Sequence, residues 1–421
     1  MKTMEFAERL EVKEQRDVIV AGGGVAGVAA ALAAARAGKR VLLLEKTVAL
    51  GGLATIGLIN FFVPMCNGRG RQIVFGMAEE FLQLARRHSY DDLPAEWRDG
   101  EPKEPTNVRK CMHYSHTIFA LEMTRLLTEA GVELLFDTAA SQPVMRQGHC
   151  EGLIVENKGG RAFYPAGVVV DATGDADILF RAGVPCVQGG NYHTYLARGI
   201  TLETCRAAAE SGDIRKAYGG GFAGGVSSLY GKNHPEGMPL YAGTTGESVS
   251  EYLVRNQLEL LGKLRGEDRG TRDIVMLPGM CQFRTTRRIA GEYTLREADA
   301  YRHFDDSISA INDFDRRDFL YEVPYRTLIS RGFDNLITAG RSAAGEGYAW
   351  DVLRVIPPAI VTGQAAGLAA ALALDTGRGI DEIDMERLQR ALKAQNVLLH
   401  FEDALVPDGV ADDVRCDVGH L

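Results

Sequence analysis

Apolar runs and the residues that interrupt them divide this chain into elements. Residues 17–21 (DVIVA) form an apolar, β-branched run that predicts a buried strand. A glycine-rich turn follows, and the Ala-rich stretch 25–37 predicts a helix ended by Gly38. Residues 41–44 are the next strand, which completes a β-α-β unit. Strands are also expected at 132–136, at 167–170 and leading into 335–341, and helices at 118–129, 247–264 and 385–399, the last followed by an acidic tail. The longest apolar stretch, 355–374, contains Pro357, Pro358, Thr362 and Gln364. It therefore predicts a helix buried in protein and not a membrane span, although Gly363 and Gly367 spell G-x-x-x-G.

The turn after the first strand carries chemistry. Gly22, Gly24 and Gly27 spell G-x-G-x-x-G between a strand and a helix, and Glu45 closes the second strand 18 residues after Gly27. Glycines let the turn be tight and let the backbone approach a pyrophosphate, whose charge is stabilised by free N–H groups at the helix start. A carboxylate at the end of the second strand is placed to accept hydrogen bonds from ribose hydroxyls. With strand, helix and acid in register, the unit predicts a dinucleotide site. Gly219, Gly221 and Gly224 repeat the spelling, but no buried strand precedes them and no strand-ending acid follows. That match is expected to be a flexible loop, which argues against a second nucleotide domain.

Composition narrows the function. The 421 residues are 46% hydrophobic and 24% charged, ordinary for a globular protein of two or three domains. The net charge of −9 opposes a nucleic-acid partner. The N-terminus lacks an apolar signal segment, so a cytoplasmic location without membrane insertion is expected. Seven scattered cysteines without C-x-x-C fit reduced thiols and no zinc site. Self-association stays open.

Six segments carry a resemblance to a known family: DVIVAGGGVAG, LLLEKTVALGGLATIGLIN, VVVDATGDADI, RTTRRIAGEY, NLITAGR and RVIPPAIVTGQAAGLAAA. They span residues 17–371, and the chain resembles FAD-dependent oxidoreductases whose cofactor domain is shared with fumarate reductase and succinate dehydrogenase flavoproteins. The resemblance implies an α/β fold, with a Rossmann-like FAD-binding domain around a glutathione-reductase-like βαβ core and an inserted α+β substrate domain. Residues 1–178 and 320–378 would form the FAD domain, 179–319 the insertion, and 379–421 a C-terminal helix and tail. By resemblance, Gly22, Gly24 and Gly27 meet the pyrophosphate, and Glu45 and Lys46 lie at the ribose. Gly51, Gly52, Ala54 and Thr55 run toward the isoalloxazine, Ala140 meets the adenine, and Ala172, Thr173 and Gly174 close over the diphosphate. Gly340, Arg341, Arg354 and Ile356 return to the flavin, with the helix starting near Pro357 aiming its positive end at the ring.

Catalytic residues are less clearly marked, because a flavin does the hydride chemistry and the protein supplies orientation, a proton acceptor and charge stabilisation. The segment from Arg284 through Arg287 and Arg288 to Glu292 has two readings: ion pairs tying the insertion to the cofactor domain, or guanidinium groups holding an anionic or oxygen-rich substrate. Arg287, Arg288 and Arg354 are candidates for the second role. His113 is the acid/base candidate, with His116 three residues on and His193 as an equal alternative; a cap or packing role is the competing reading. Cys66 follows the GGLAT loop but has no partner thiol nearby in sequence. The expected activity is hydride transfer between flavin N5 and a small polar CH–OH, CH–NH or CH–CH substrate, with an unknown electron acceptor. The alternatives are an electron-transfer subunit serving a protein partner and a non-catalytic flavin-binding module.

Overall fold

The computed structural model describes residues 4, 5, 7–218, 220–228 and 230–408. Its first unit is the expected one: β1 (Arg16–Ala21), α1 (Val25–Arg36) and β2 (Val41–Leu44), with the two strands parallel and Val18 opposite Val41. Both strands are buried on both faces over their apolar runs, as a parallel sheet covered by helices requires. Helices α2 (Met77–Arg86) and α3 (His116–Glu129) lead to β3 (Glu133–Leu135), which pairs with β2. An antiparallel meander follows, β4 (Ala139–Arg146), β5 (His149–Asn157) and β6 (Gly160–Asp171). The C-terminal half of β6 turns into the parallel sheet beside β1, giving the order β3-β2-β1-β6-β5-β4.

After α4 (Asp177–Arg181) the chain leaves this sheet. A short β7 (Cys186–Gln188) is followed by β8 (Leu196–Thr201), α5 (Leu202–Ser211) and β9 (Gly220–Ala223). Next come α6 (Gly246–Leu264), β10 (Arg272–Met276) and β11 (Arg287–Ile289), the last paired with β7. The sheet β9-β8-β10 packs on α6 around its own small aromatic core of Tyr195, Tyr241, Tyr252 and Phe283. The second glycine spelling is thus not a loop. Gly220–Ala223 is a strand whose Phe222 lies opposite Ala197, while Gly219 lies outside the described residues. Pairing to β8 supplies the order that the sequence pattern did not signal.

The return crosses β12 (Ser307–Asn312) and β13 (Leu320–Pro324), which form one antiparallel hairpin. The expected domain boundary at residue 319 therefore falls inside a hairpin, and Ile308 and Ile311 of β12 belong to the large core that also holds residues of β1 and α1. Then β14 (Leu336–Thr338) joins β6 in parallel, followed by α7 (Tyr348–Arg354), α8 (Ile356–Thr376) and α9 (Met385–Ala394). Helix α9 stops five residues earlier than the pattern suggested. Asn396 takes φ +59°, and the chain runs extended so that Leu398 accepts from Ala310 N at 2.6 Å. Residues 409–421 of the acidic tail, with Cys416, lie outside the described residues.

The apolar helix α8 is a core element. A Cβ on Gly363 would stand 2.1 Å from Ala26 O, and one on Gly367 2.2 Å from Ala30 O. Its G-x-x-x-G thus lets α8 lie backbone to backbone on the alanine face of α1, and both helices cover one face of the parallel sheet.

Candidate functional site

The strand ends of the parallel sheet open onto a cavity of about 600 Å³. Five loops line it: Gly22 and Gly24 after β1; Glu45, Lys46, Gly51, Gly52 and Ala54 after β2; Ala140 at the start of β4; Ala172–Gly174 after β6; Gly340 and Arg341 after β14. Arg354 and Ile356, from the end of α7 and the first turn of α8, complete the set. Two residues assigned to the cofactor do not line it. Gly27 lies behind the turn, where a Cβ would stand 1.9 Å from Gly22 O, so its role is helix-to-strand packing. Thr55 is buried and donates to Leu50 O at 2.5 Å, holding the GGLAT loop from within.

The glycines fit a dinucleotide. Gly22 has φ +108°, and a side chain there would meet Ala172 O at 2.5 Å, whereas a Cβ on Gly24 would meet nothing within 4 Å. Gly24 is bare toward the cavity at the N-cap of α1, where free amides and the helix dipole favour an anion. The start of α8 is different. Pro357 and Pro358 have no N–H, and Ala359 N donates to Val355 O at 3.0 Å, so among the first-turn amides Ile356 N–H remains for a ligand, with the dipole behind it.

Glu45 does more than face a ribose. Its Oε2 accepts from Gly23 N at 2.7 Å, and its Oε1 accepts from Thr47 N and Oγ1, both at 2.7 Å. A carboxylate has about four acceptor positions, so three are spent on the two loops and one remains on Oε2 for a hydroxyl. Asp171, which the sequence reading quoted without a role, does the same for the loop after β6. It is fully buried and accepts from Thr173 N and Oγ1 and from the Ile178 and Leu179 amides. Burial nevertheless pushes its pKa up from the usual carboxylate value. Sequence reasoning also missed Met280 and Arg181 on the cavity wall; Arg181 holds the carbonyls of Ala140 and Ser141. No short motif marks either residue.

Arg341 lines the cavity with three of its five donors engaged by the protein. Nε binds Gly174 O, Nη1 binds Phe283 O and Nη2 pairs with Asp175, stitching the inserted unit to the cofactor domain. Arg287 is another such tie. It donates to Asp175 O at 2.8 Å, pairs with Asp177 and lies 4.1 Å over the Phe180 ring. Arg288 lies over Trp350 and donates to Ile289 O; its Nε has no hydrogen-bond partner among the described residues. Neither Arg287 nor Arg288 lines a cavity at the site, so their expected substrate role gives way to a structural one.

The histidines also stand apart. His113 pairs with Asp92 at 3.2 Å on a short strand beside Phe61, outside the cavity walls. His193 is fully buried in the insertion between Glu259, at 2.8 Å, and Tyr241. Cys66 is buried and accepts from Lys110 N. Burial pushes the thiols of Cys150, Cys186 and Cys281 each up to about 11, which keeps them protonated at neutral pH.

A second, smaller chamber of about 130 Å³ is lined by Asn191, Tyr192, Tyr230, Gln282, Arg284 and Asp351. Asp351 joins it to the large cavity through an ion pair with Arg354, with Nη2 to Oδ1 at 2.5 Å. Arg284 is the residue that sequence reasoning passed over for Arg287 and Arg288. Its backbone N is anchored on Asn191 Oδ1 at 2.6 Å, while its Nε is buried without a hydrogen-bond partner among the described residues. Burial, then the nearby Arg354 charge, push its pKa down to about 9.

Comparison with known proteins gives the family of this chain. The model of the FAD dependent oxidoreductase family matches residues 17–211 and 272–392. A digeranylgeranylglycerophospholipid reductase from Methanoculleus marisnigri is 30% identical over 185 residues, 42% of this chain and 43% of the reductase, so the match spans under half of that protein. Similar solved structures include a geranylgeranyl bacteriochlorophyll reductase-like protein from Thermoplasma acidophilum, with a TM-score of 0.46, 13% identity and coverage of 94% of this chain and 95% of that one. Another is Sdh1 of Mycobacterium smegmatis in complex with UQ1, with a TM-score of 0.46, 14% identity and coverage of 91% and 73%. The family match steps over residues 212–271, the stretch holding β9 and α6. With its glycine turn, carboxylate and strand-end loops around one dinucleotide-sized cavity, the chain belongs to the FAD-dependent oxidoreductase family, an enzyme family with FAD as its cofactor.

Proposed function

We propose that this enzyme transfers hydride between flavin N5 and a small anionic substrate, at a CH–OH, CH–NH or CH–CH bond, held in the chamber beside Arg284. The observation that carries this reading is Arg284. It is a guanidinium with a buried, unpartnered Nε on a chamber wall next to the cofactor cavity. An unpaired buried donor is costly unless a ligand completes it, and a carboxylate or similar anion suits a planar guanidinium. The volume of about 130 Å³ admits only a small molecule, below the roughly 300–1,000 Å³ of drug-sized pockets.

When bound, FAD supplies the hydride acceptor or donor. The chain does the rest. Arg284 binds the anionic group, and Tyr230 and Asn191 narrow the chamber around it. Asp351, oriented by Arg354, is the carboxylate placed to take the substrate proton. Fixed guanidinium charge stabilises developing negative charge without reorganisation. The test is anaerobic reduction of the holoenzyme by a panel of small hydroxy and amino carboxylates beside their neutral amides and alcohols. Flavin bleaching by carboxylates, slowed about 100-fold or more in Arg284→Met with FAD content unchanged, is the expected result. Bleaching by neutral analogues at equal rate, or an unaffected Arg284→Met enzyme, would overturn the reading.

A further inference from the structure

Away from both cavities, three segments bring metal-ligating side chains to one point. His303 precedes β12, Glu322 lies in the middle of β13, and His400 follows α9. One ligand atom from each, a ring nitrogen of either histidine and a Glu322 carboxylate oxygen, lie within 4.8 Å of one another. His400 Nδ1 stands 3.0 Å from both Glu322 oxygens, and His303 Nδ1 stands 2.5 Å from Oε1. None of these residues lines the cofactor cavity or the Arg284 chamber.

With His303 neutral, the hydrogen bonds of this cluster are one proton short. His303 has a carboxylate at each ring nitrogen, Glu322 at Nδ1 and Asp403 Oδ1 at Nε2, 2.9 Å away. A neutral imidazole carries one N–H, so one nitrogen must aim a lone pair at an anion. A second ring proton, which the two carboxylates favour, resolves this, and so does a bound cation. With its N–H donated from Nε2 to Asp403, His303 offers Nδ1 as a ligand, the carboxylate–histidine–metal arrangement of bound imidazoles. Glu322 is fully buried, and its backbone donor, Phe304 N, binds Oε2 at 2.8 Å. That contact orients the carboxylate and leaves Oε1 toward the two rings.

We propose that His303, Glu322 and His400 bind one Zn²⁺, which clips the segment after α9 to the β12–β13 hairpin. Two imidazole nitrogens and one carboxylate suit this borderline ion. Bond lengths of about 2.0–2.2 Å place tetrahedral ligand atoms roughly 3.4 Å apart, within reach of small side-chain rotations from the observed separations. The histidine side chains are 42% and 41% exposed, so the ion enters from solvent, and water takes the fourth position. The clip adds to existing anchors, because Ser307 Oγ already donates to Leu399 O at 2.6 Å.

The experiment uses tag-free, flavin-loaded full-length protein, stripped with a chelator, dialysed and titrated with zinc alone. The expected result is one zinc per chain by elemental analysis and a Tm rise of about 2–5 °C at saturating zinc. His303→Gln and His400→Gln, each checked for unchanged FAD content and circular dichroism, should lower zinc affinity at least 10-fold and abolish that rise. Asp403→Asn should weaken binding less, since it removes the charge that supports one ring and no ligand atom. The proposal falls if the wild-type protein takes up no stoichiometric zinc, if both glutamine variants bind zinc as wild type does, or if zinc binds without moving Tm. Those outcomes would leave the cluster as protonated histidines salt-bridged to Glu322.

Discussion

The two chambers of this enzyme are built from different materials. The large cavity is lined mostly by backbone and small residues, with Gly22, Gly24, Gly51, Gly52, Ala172 and Gly340 at four strand ends. The chamber beside it is lined by Asn191, Tyr192, Tyr230, Gln282, Arg284 and Asp351, side chains drawn from distant parts of the chain. A backbone surface follows from local turn geometry and so repeats as a motif. A side-chain surface depends on which residues folding brings together. The first suits a cofactor shared by a family, the second a substrate particular to its member.

The comparison breaks most sharply at two glycines of the same motif. Gly27→Val, with its Cβ 1.9 Å from Gly22 O, should cost more than about 3 kcal/mol and leave little soluble protein. Gly24→Val adds its bulk to open cavity, so the protein should fold and purify without flavin. Solubility, circular dichroism and FAD content of both variants separate packing from binding. A soluble, flavin-loaded Gly24→Val would remove the pyrophosphate from this turn.

Glu45→Ala comes next in size. It removes the ribose acceptor and frees the Gly23 and Thr47 amides, and it should weaken FAD binding by about 1.5–3 kcal/mol, read by flavin fluorescence titration. Because three of its acceptor positions serve the loops, the apoprotein should also lose Tm. An unchanged apoprotein Tm would show that the two loops hold without it.

The smaller chamber should respond to pH through Arg284. Its pKa of about 9 leaves it charged at neutral pH, and the charge is lost as pH rises through 9. The KM for an anionic substrate should therefore be flat from pH 7 to 8.5 and then rise by up to about tenfold per pH unit. A KM flat to pH 10.5 would mean that the guanidinium keeps its proton or does not meet the substrate.

The smallest effects are expected at Arg287 and Arg288. Arg287→Lys keeps the charge for Asp177 but loses the fork to Asp175 O, a cost of about 1 kcal/mol in stability. Flavin reduction rates of Arg287→Lys and Arg288→Lys should stay within about twofold of wild type. A larger drop with Tm and FAD content intact would return these arginines to the substrate.

What the sequence by itself determined is the cofactor half of the molecule. The β1-α1-β2 unit, the glycines, Glu45 and the strand-end loops are readable because each turn must satisfy its own steric and hydrogen-bonding demands within a few residues. The GGLAT, DATGD and NLITAGR segments carry the same local constraint, and most of their assigned residues line one cavity. Tertiary structure alone decided the rest. Arg284, Arg287 and Arg288 lie within five residues and look alike in sequence, yet one lines the chamber while the other two lie against Phe180 and Trp350. The strand at Gly220–Ala223 exists through its pairing to β8, and the hairpin of β12 and β13 joins what the pattern divided at residue 319. His303, Glu322 and His400 meet across 97 residues of chain, with no motif to announce them. The physical reason is common to these cases. A backbone turn is specified by the conformations of its own residues, whereas the environment of a long side chain is specified by neighbours that only the folded chain supplies.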